Sequence, residues 1–343
     1  MTGLPTVVLT NATFPETRAM FDNIARVVAN DGREPWSAAI LDAHCRNAAG
    51  IMAFMPDRID ETFLERCPNL KVIGAALKGY DNIDVDAATA RGVWVTICND
   101  LLTIPTAELA IGLMLALGRH MLIGDREIRE AGFHGWRPRH YGVGLDGAAV
   151  GIVGFGNVGQ AIAERLSGFR CHISAHDISG QDIPPHLDGR IALTGLGELL
   201  ASSDFVVLAL PLVPSTMHLI DASAIAAMRP GALLINPARG SLVDEAAVAE
   251  AIADGHLGGY AADVFECEDW ARADRPRAID ACLVARGART VLTPHIGSAV
   301  IGVRREIEAS AALSIIQALR GETPSGAINI PKGSFSRALA EQH

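Results

Sequence analysis

Short apolar runs rich in β-branched residues alternate with helical patterns along almost the whole chain. The first three such runs cover residues 6–9, 50–54 and 72–76, and a long apolar helix is predicted over about residues 106–120. This alternation is typical of parallel sheets with helices on both faces, because parallel strands need crossover connections. The sequence therefore predicts an α/β protein, and 343 residues are enough for two domains.

A second α/β series follows the long helix. Strands are predicted over residues 148–153, 171–175, 205–210, 232–236, 260–264 and 291–293, and a last helix over about 299–319. We expect the chain to enter the second domain near residue 101 and to return near 295. Residues 132–146, rich in Gly, Pro and aromatic side chains, are predicted as a long excursion without regular structure. Within it, Trp136 and Tyr141 either line a site or pack beneath the segment.

Charge and hydropathy exclude several classes of protein. The 29 Lys and Arg residues against 39 Asp and Glu residues give a net charge of −10, which argues against a nucleic-acid-binding protein. The N-terminal residues have no basic segment and soon meet Glu16, unlike a secretory signal. The apolar stretch at 109–118 is about half the length of a membrane span. We therefore expect a soluble cytoplasmic protein.

The cysteines predict neither a disulfide framework nor a metal site. The six residues are widely spaced, with no CxxC pair, which indicates reduced thiols. Cys171, His172 and His176 are the nearest approach to a metal cluster, and they lack a fourth ligand at suitable spacing.

A glycine-rich turn follows the predicted strand near residue 153. Gly154, Gly156 and Gly159 form a GxGxxG pattern that opens a helix, where tight turning, close backbone approach and free N–H groups suit a pyrophosphate. Asp177 lies 18 residues after Gly159, at the end of the next predicted strand. A carboxylate there would accept hydrogen bonds from ribose hydroxyls and repel a 2′-phosphate. The pattern predicts a site for NAD rather than NADP.

Three polar residues follow the last three predicted strands. They are Arg239, Glu268 and His295. Because open parallel sheets bind ligands at the carboxyl ends of their strands, we expect all three to face one crevice. A carboxylate that orients an imidazole, beside an Arg that clamps an anion, suits proton-coupled hydride transfer.

These segments resemble the D-isomer-specific 2-hydroxyacid dehydrogenase family. The matching motifs lie at residues 79–84, 154–159, 234–245, 263–268 and 293–298. The resemblance implies two doubly wound α/β domains. A Rossmann NAD-binding domain (102–294) would be inserted into a flavodoxin-like substrate domain (1–101 and 295–343). It also implies a homodimer in which the long helix takes part.

Within the family, the chain is most similar to the phosphonate dehydrogenases, which oxidise phosphite to phosphate. This closer likeness rests on residues 52–57, 76–81, 100–108, 268–276 and 295–304. It implies catalysis by Arg239, Glu268 and His295, and substrate binding by Lys78, Gly79, Met55 and Arg304. It implies NAD contacts from Thr106, Gly154, Gly156, Asn157, Val158, Gly159, Asp177, Pro211, Ala238 and Asp263.

Lys78 separates phosphite from a 2-hydroxy acid as the expected substrate. Phosphite is largely a dianion at neutral pH, and a second nearby cation is needed to offset its desolvation. Lys78 follows a predicted apolar strand, where members of the family usually carry a small or apolar residue. Arg304 either adds a third charge or forms an ordinary i,i+4 pair with Glu308.

The expected mechanism is hydride transfer from phosphorus to NAD, with water supplying the new oxygen. His295, paired with Glu268, would be the base, although Arg239 is an alternative group to take the proton. One competing hypothesis is a dehydrogenase for glyoxylate, glycerate or lactate. Lys78 and the segment 269–276 argue against it, since the family usually has Pro directly after this Glu. The other is an NAD-sensing protein like the C-terminal-binding-protein corepressors, disfavoured because those carry long disordered tails.

Overall fold

The computed structural model describes residues 3–180, 183–269 and 272–332. These divide into two compact units, one made of residues 3–102, 272–273 and 299–332, and the other of residues 103–180, 183–269 and 274–298. Residues 270–271 of the segment 269–276, and the tail beyond 332, lie outside the described residues.

The first unit is a parallel sheet with helices. Its strands are β1 (Thr6–Leu9), β2 (Arg26–Ala29), β3 (Gly50–Ala53), β4 (Val72–Ala75) and β5 (Trp94–Thr96). Its helices are α1 (Pro15–Ala19), α2 (Ala38–Cys45), α3 (Glu61–Arg66), α4 (Val85–Ala90) and α12 (Ile301–Leu319). The strand order β2-β1-β3-β4-β5 is the flavodoxin-like order.

Helix α12 packs so closely on β3 and β4 that a side chain at Gly50 or Gly74 would collide with it. Both strands are buried throughout, and a Cβ atom placed on Gly74 would lie 2.6 Å from the Ile315 side chain and 2.9 Å from the Ala311 carbonyl. A Cβ atom placed on Gly50 would likewise lie 3.0 Å from the Ile315 side chain. Glycine at these positions lets the last helix pack directly on the sheet.

The second unit is a larger sheet of the same kind. Its strands are β6 (Ala149–Val153), β7 (His172–His176), β8 (Ile191–Leu193), β9 (Phe205–Leu208), β10 (Leu233–Asn236), β11 (Gly259–Ala262) and β12 (Thr290–Leu292). Its helices are α5 (Thr103–Gly118), α6 (Met121–Ala131), α7 (Asn157–Leu166), α8 (Leu196–Ser202), α9 (Ala222–Ala227), α10 (Glu245–Ala253) and α11 (Ala281–Val284).

The strands of the second unit are all parallel, in the order β12-β11-β10-β9-β6-β7-β8. The order reverses at β6, whose neighbours are β7 and β9, as in a Rossmann fold. Residues from α5, α7 and the strands fill a core on one face of this sheet, and residues from α8, α9 and α10 help to fill the core on the other face. The predicted pair of doubly wound α/β folds is confirmed.

Sequence reasoning missed the strands β2, β5 and β8. All three lie at sheet edges, and two of them have only three residues. Edge strands are buried less completely than central ones, so their apolar pattern is short and weak.

Helix α5 begins three residues earlier than predicted and is buried along one face. It packs on α7 and on β10, β11 and β12 of its own unit, while Ile104 is 45% exposed. The excursion that follows α6 has no regular structure, as predicted, and Trp136 and Tyr141 are about three-quarters exposed in this chain. Neither aromatic side chain packs beneath the segment.

The described helices contain no single segment both long and apolar enough to cross a membrane, although Thr103–Gly118 and Met121–Ala131, a pair bent by 59°, pass that test together.

Gly74→Ala should destabilise the first unit, because the new methyl group collides with Ile315 and with the backbone of α12. We expect a loss of about 1–3 kcal/mol. Gly302→Ala is the matched control on α12, since nothing lies within 4 Å of its Cβ position, and it should change stability by less than about 1 kcal/mol. Urea unfolding followed by circular dichroism measures both. Equal midpoints for the two variants would contradict this packing.

Candidate active site

The turn after β6 is built for close approach of a ligand to the backbone. Gly154 has φ +93°, and a Cβ there would lie 2.4 Å from the Ala209 carbonyl oxygen. A Cβ on Gly159 would lie 2.2 Å from the Gly154 carbonyl oxygen, so α7 can pack against the turn only with glycine here. Gly156, the N-cap of α7, has open space around its Cβ position. A phosphate group can therefore approach the N–H groups of the first turn.

Asp177 lies beside this turn at the end of β7. Its carboxylate accepts hydrogen bonds from the Phe155 N–H (2.7 Å) and from the N–H (2.8 Å) and hydroxyl of Ser179. Burial tends to raise the pKa of Asp177, but these hydrogen bonds outweigh it, so the net pKa lies below its ordinary value. The carboxylate is thus ionised and held close to the glycine turn, where ribose hydroxyls can donate to it.

The remaining residues predicted to bind NAD surround the same edge of the sheet. Asn157 and Val158 begin α7, whereas Pro211, Ala238 and Asp263 follow β9, β10 and β11. Thr106, on α5, lies near Gly297, since a Cβ on that glycine would be 3.4 Å from its hydroxyl. The open space at Gly156, the helix N-terminus and Asp177 together fit a dinucleotide.

The three predicted catalytic residues follow three neighbouring strands. Arg239 comes after β10, Glu268 after β11 and His295 after β12, and these strands pair in parallel. Their carboxyl ends therefore meet at one edge of the sheet.

Glu268 and His295 form a hydrogen-bonded pair. The Glu268 Oε2 atom lies 2.9 Å from His295 Nδ1, and both side chains are partly exposed. Glu268 is itself oriented, because its Oε1 accepts a hydrogen bond from the Phe265 N–H at 3.0 Å. A carboxylate on Nδ1 leaves Nε2 to exchange a proton with substrate and stabilises the imidazolium.

Asp263 holds the turn on which His295 is carried. Its carboxylate accepts hydrogen bonds from the Thr293 hydroxyl (2.6 Å) and from the N–H groups of Ile296 (2.8 Å) and Gly297 (2.7 Å). His295 has φ +53°, a left-handed conformation that non-glycine residues rarely adopt. The three hydrogen bonds offset this strain, so the contacts of Asp263 show a structural role that sequence reasoning did not assign to it.

Arg239 is half-buried in a tight turn. Its Nη1 donates to the Ala238 carbonyl (2.9 Å), and its own carbonyl accepts a hydrogen bond from Asn236 Nδ2 (2.8 Å). Asn236 Oδ1 also accepts from the Ala238 N–H at 3.1 Å. Asn236 therefore fixes both ends of the turn that presents the guanidinium.

Within the first unit, the residues predicted to bind substrate gather at the ends of two neighbouring strands. Met55 follows β3, Lys78 and Gly79 follow β4, and the two strands pair in parallel with Ala53 opposite Ala75. Lys78 is half-buried, and none of the described residues forms an ion pair with it.

Arg304 reaches the same place from α12. Its Nη1 donates to the Ala76 carbonyl at 3.3 Å, and its guanidinium lies 5.7 Å from the centre of the Phe54 ring. Glu308 instead accepts hydrogen bonds from the Phe14 N–H (2.9 Å) and the Thr17 hydroxyl (3.1 Å). The i,i+4 alternative is therefore not formed as an ion pair. Burial lowers the pKa of Arg304, although the nearby Glu308 opposes this.

Two polar residues that sequence reasoning did not single out support this cluster. Asp57 is buried and accepts hydrogen bonds from the Phe54 N–H (2.7 Å) and the Thr10 hydroxyl. Asn82 donates to the Phe54 (3.2 Å) and Asp57 (2.7 Å) carbonyls. Burial raises the pKa of Asp57 to about 6, against the effect of its hydrogen bonds. Both residues lie in segments that resemble known proteins, at 52–57 and 79–84, but only the fold shows what they contact.

Comparison with known proteins identifies the family. The family model for the NAD-binding domain of D-isomer specific 2-hydroxyacid dehydrogenases matches residues 111–297. The chain belongs to this family. It is 36% identical over 296 residues to a glyoxylate reductase of Pyrococcus horikoshii, covering 84% of this chain and 85% of that protein. It is 34% identical over 341 residues to a D-3-phosphoglycerate dehydrogenase of Mycobacterium tuberculosis, covering 98% of this chain and 61% of that longer protein.

Solved structures agree with this assignment. A protein of Thermus thermophilus matches with a TM-score of 0.85 at 32% identity, covering 94% of this chain and 99% of that one. An NADPH-dependent glyoxylate/hydroxypyruvate reductase of Sinorhizobium meliloti, solved with NADP and malonate, matches with a TM-score of 0.79 at 25% identity, covering 95% and 97%. This chain is therefore an NAD(P)-dependent oxidoreductase of the D-2-hydroxyacid dehydrogenase family.

His295→Ala should lower the kcat of this dehydrogenase by about 10²–10⁴, because it removes the proton-transfer group. Glu268→Gln should lower kcat by a smaller factor, since the imidazole remains but loses its carboxylate. Steady-state kinetics with the substrate that the wild-type chain turns over fastest measures both. NADH binding, followed by fluorescence, is the control and should stay unchanged. Near-normal turnover by His295→Ala would remove His295 from the chemistry.

Proposed function

We propose that this dehydrogenase oxidises phosphite to phosphate with reduction of NAD. The observation that carries the proposal is Lys78, a half-buried ammonium group without an ion-pair partner among the described residues. It stands at the carboxyl end of β4, beside Gly79 and near the end of the strand that leads to Met55. The first unit is, on this proposal, the substrate domain.

Two cations in the first unit favour a dianionic substrate. Arg304, bonded to the carbonyl of Ala76, adds a second positive charge at the end of β4. Its carboxylate neighbour Glu308 is engaged elsewhere, so the guanidinium keeps its charge available. Removing a dianion from water is costly unless more than one cation compensates it. A monoanionic 2-hydroxy acid needs less compensation.

The reaction breaks the P–H bond of phosphite, forms a P–O bond from water and releases one proton. NAD, when bound, supplies the hydride acceptor. His295, held by Glu268, acts as the base toward water, and Glu268 stabilises the imidazolium that results. Within the second unit, Arg239 stabilises the negative charge that develops in the transition state, and within the first unit Lys78 binds the anion.

A second candidate function is the reduction of a small 2-oxo acid or the oxidation of the corresponding 2-hydroxy acid. The comparisons favour it more directly than they favour phosphite, because the relatives are glyoxylate reductases and D-3-phosphoglycerate dehydrogenases. The arrangement of Arg239, Glu268 and His295 serves either reaction, since both need an anion clamp and a proton-transfer group.

One assay distinguishes the candidates. Purified protein is mixed with NAD and phosphite, with NAD and D-lactate or D-glycerate, and with NADH and glyoxylate, and absorbance of NADH is followed. Turnover of phosphite alone supports the proposal, and turnover of the organic acids alone overturns it in favour of the second candidate. Tight NADH binding without turnover points to the NAD-sensing alternative. Repeating the assay with NADP tests the preference for NAD that Asp177 suggests.

Lys78→Ala should raise the KM for phosphite by about tenfold or more, corresponding to the loss of about 1.5–3 kcal/mol from a charge-assisted contact. Lys71→Ala, at the opposite end of β4 and exposed, is the matched control and should leave KM unchanged. An unchanged KM in Lys78→Ala would refute the charge argument for phosphite.

We also propose that a second copy of this chain covers α6 and the excursion after it. Large apolar side chains are exposed along this surface, namely Met121, Leu122, Ile128, Phe133, Trp136, Tyr141 and Val143. So many exposed apolar groups on contiguous segments are typical of an association surface.

Native mass measurement should therefore give about twice 36.2 kDa for the wild type. Trp136→Asp should shift the mass toward the monomer, because a buried charge in the interface is costly. Ile40→Asp, at an exposed site on α2, should not. A monomeric wild type would contradict the proposal.

A further inference from the structure

A buried carboxyl group lies beneath the catalytic turns of the second unit and is not used in the chemistry above. Glu245 is the first residue of α10 and is only 2% exposed. The preceding Asp244 caps the helix through the N–H groups of Ala246 and Ala247. The backbone of Glu245 is thus fixed, and its Oε1 accepts a hydrogen bond from the Glu266 N–H at 2.9 Å.

Glu266 begins the short 3₁₀ helix Glu266–Glu268, which ends in the carboxylate that binds His295. The backbone of Phe265, the residue before this helix, forms two hydrogen bonds with Glu268. Its N–H donates to Glu268 Oε1 (3.0 Å) and its carbonyl accepts from the Glu268 N–H (3.1 Å). The hydrogen bond to Glu245 holds the peptide between Phe265 and Glu266 in place. It therefore also helps to determine the position of the Glu268 backbone, from which the side chain extends.

The turn that carries Arg239 packs against the same peptide. A Cβ placed on Gly240 would lie 1.9 Å from the Phe265 carbonyl carbon and 2.2 Å from the Glu266 nitrogen. In addition, the Ser241 N–H donates to the Asp269 carboxylate at 2.7 Å. The peptide is thus held by Gly240, through van der Waals contact, and by Glu245, through a hydrogen bond.

We propose that Glu245 is a positioning residue for the catalytic groups, holding the Phe265–Glu266 peptide so that Glu268 meets His295 and the Arg239 turn keeps its place. The inference rests on the proposed catalytic roles of these three residues. Glu245 itself touches none of the reacting groups; it acts through the backbone of the 3₁₀ helix.

The electrostatic surroundings of Glu245 make this support dependent on pH. Burial raises its pKa to about 7, the hydrogen bond from Glu266 lowers it, and neighbouring carboxylates raise it further. The second oxygen, Oε2, has no hydrogen-bond partner among the described residues. The titratable groups that face or border the site are Glu266, Asp269, Asp280, Tyr260, Cys267 and, through its contact with Glu266, His218.

The sign of the effect follows from the raised pKa. The folded protein retains a proton on Glu245 that the unfolded chain releases near pH 4.5, so the stabilisation from this group is complete below that pH. It is lost as pH rises through about 7, when a negative charge forms among other acidic groups.

The experiment compares Glu245→Gln, Glu245→Ala and the control Glu250→Gln, an exposed position on the same helix. The glutamine amide still accepts the Glu266 N–H and does not titrate, whereas alanine removes the acceptor. We expect Glu245→Ala to lower kcat about tenfold with little change in the KM for NAD. Glu245→Gln should stay within about threefold, and the control should match the wild type.

Two further readouts test the pH dependence of the support and separate positioning from a general loss of stability. The melting temperature of Glu245→Gln relative to wild type should rise by about 2 °C or more between pH 5.5 and 8.5. In ¹⁵N-histidine NMR of the NAD-free protein, the His295 ring titration should shift in Glu245→Ala and stay near the wild-type position in Glu245→Gln.

Unchanged kcat and an unchanged His295 titration in Glu245→Ala would overturn the inference. If Glu245→Ala does not fold, Glu245→Gln decides, because the inference predicts that its kcat and His295 titration stay near the wild type, and a clear change in either would overturn the inference. If the wild type turns over neither phosphite nor organic acids, the proposed function fails. The His295 titration, which needs no substrate, still decides the positioning role.

Discussion

The carboxylate of Asp263 is the interaction on which the reactive part of the second unit depends. Three donors from Thr293, Ile296 and Gly297 converge on it, and together they stabilise the left-handed backbone of His295. Burial raises the pKa of Asp263, although its hydrogen bonds and the nearby His295 oppose this. A Cβ on Gly297 would lie 3.2 Å from its Oδ2, so close packing of the turn requires a small residue.

The sheet supplies the rest of the reactive geometry. Because β10, β11 and β12 run parallel and side by side, residues far apart in sequence emerge at one edge. A different residue then positions each of the three predicted catalytic side chains through local hydrogen bonds. Asn236 fixes the Arg239 turn, Phe265 orients Glu268, and Asp263 holds the turn of His295. On the proposed roles, these three residues supply the anion clamp and the proton exchange that accompany hydride transfer.

On the proposed function, the choice of substrate depends on the first unit instead. There, Lys78 and Arg304 bring two cations to the end of β4, whereas the buried Asp57 is engaged with Thr10 and Phe54. Family membership determines the scaffold and the cofactor class but not which anion binds, because relatives named for different activities belong to the same family. On the proposal above, the number of nearby positive charges is the physical quantity that would distinguish phosphite from an organic monoanion.

Local patterns in the sequence determined the α/β class, the glycine turn before α7 and the placement of Arg239, Glu268 and His295 after successive strands. Periodicity, turn glycines and strand ends are properties of residues close together in the sequence. They can therefore be recognised without knowledge of the fold. Only the tertiary structure decided which buried groups meet. Glu245 reaches Glu266 across 21 residues, and Thr10 reaches Asp57 across 47. Such contacts depend on how strands and helices pack, and no spacing along the chain encodes them.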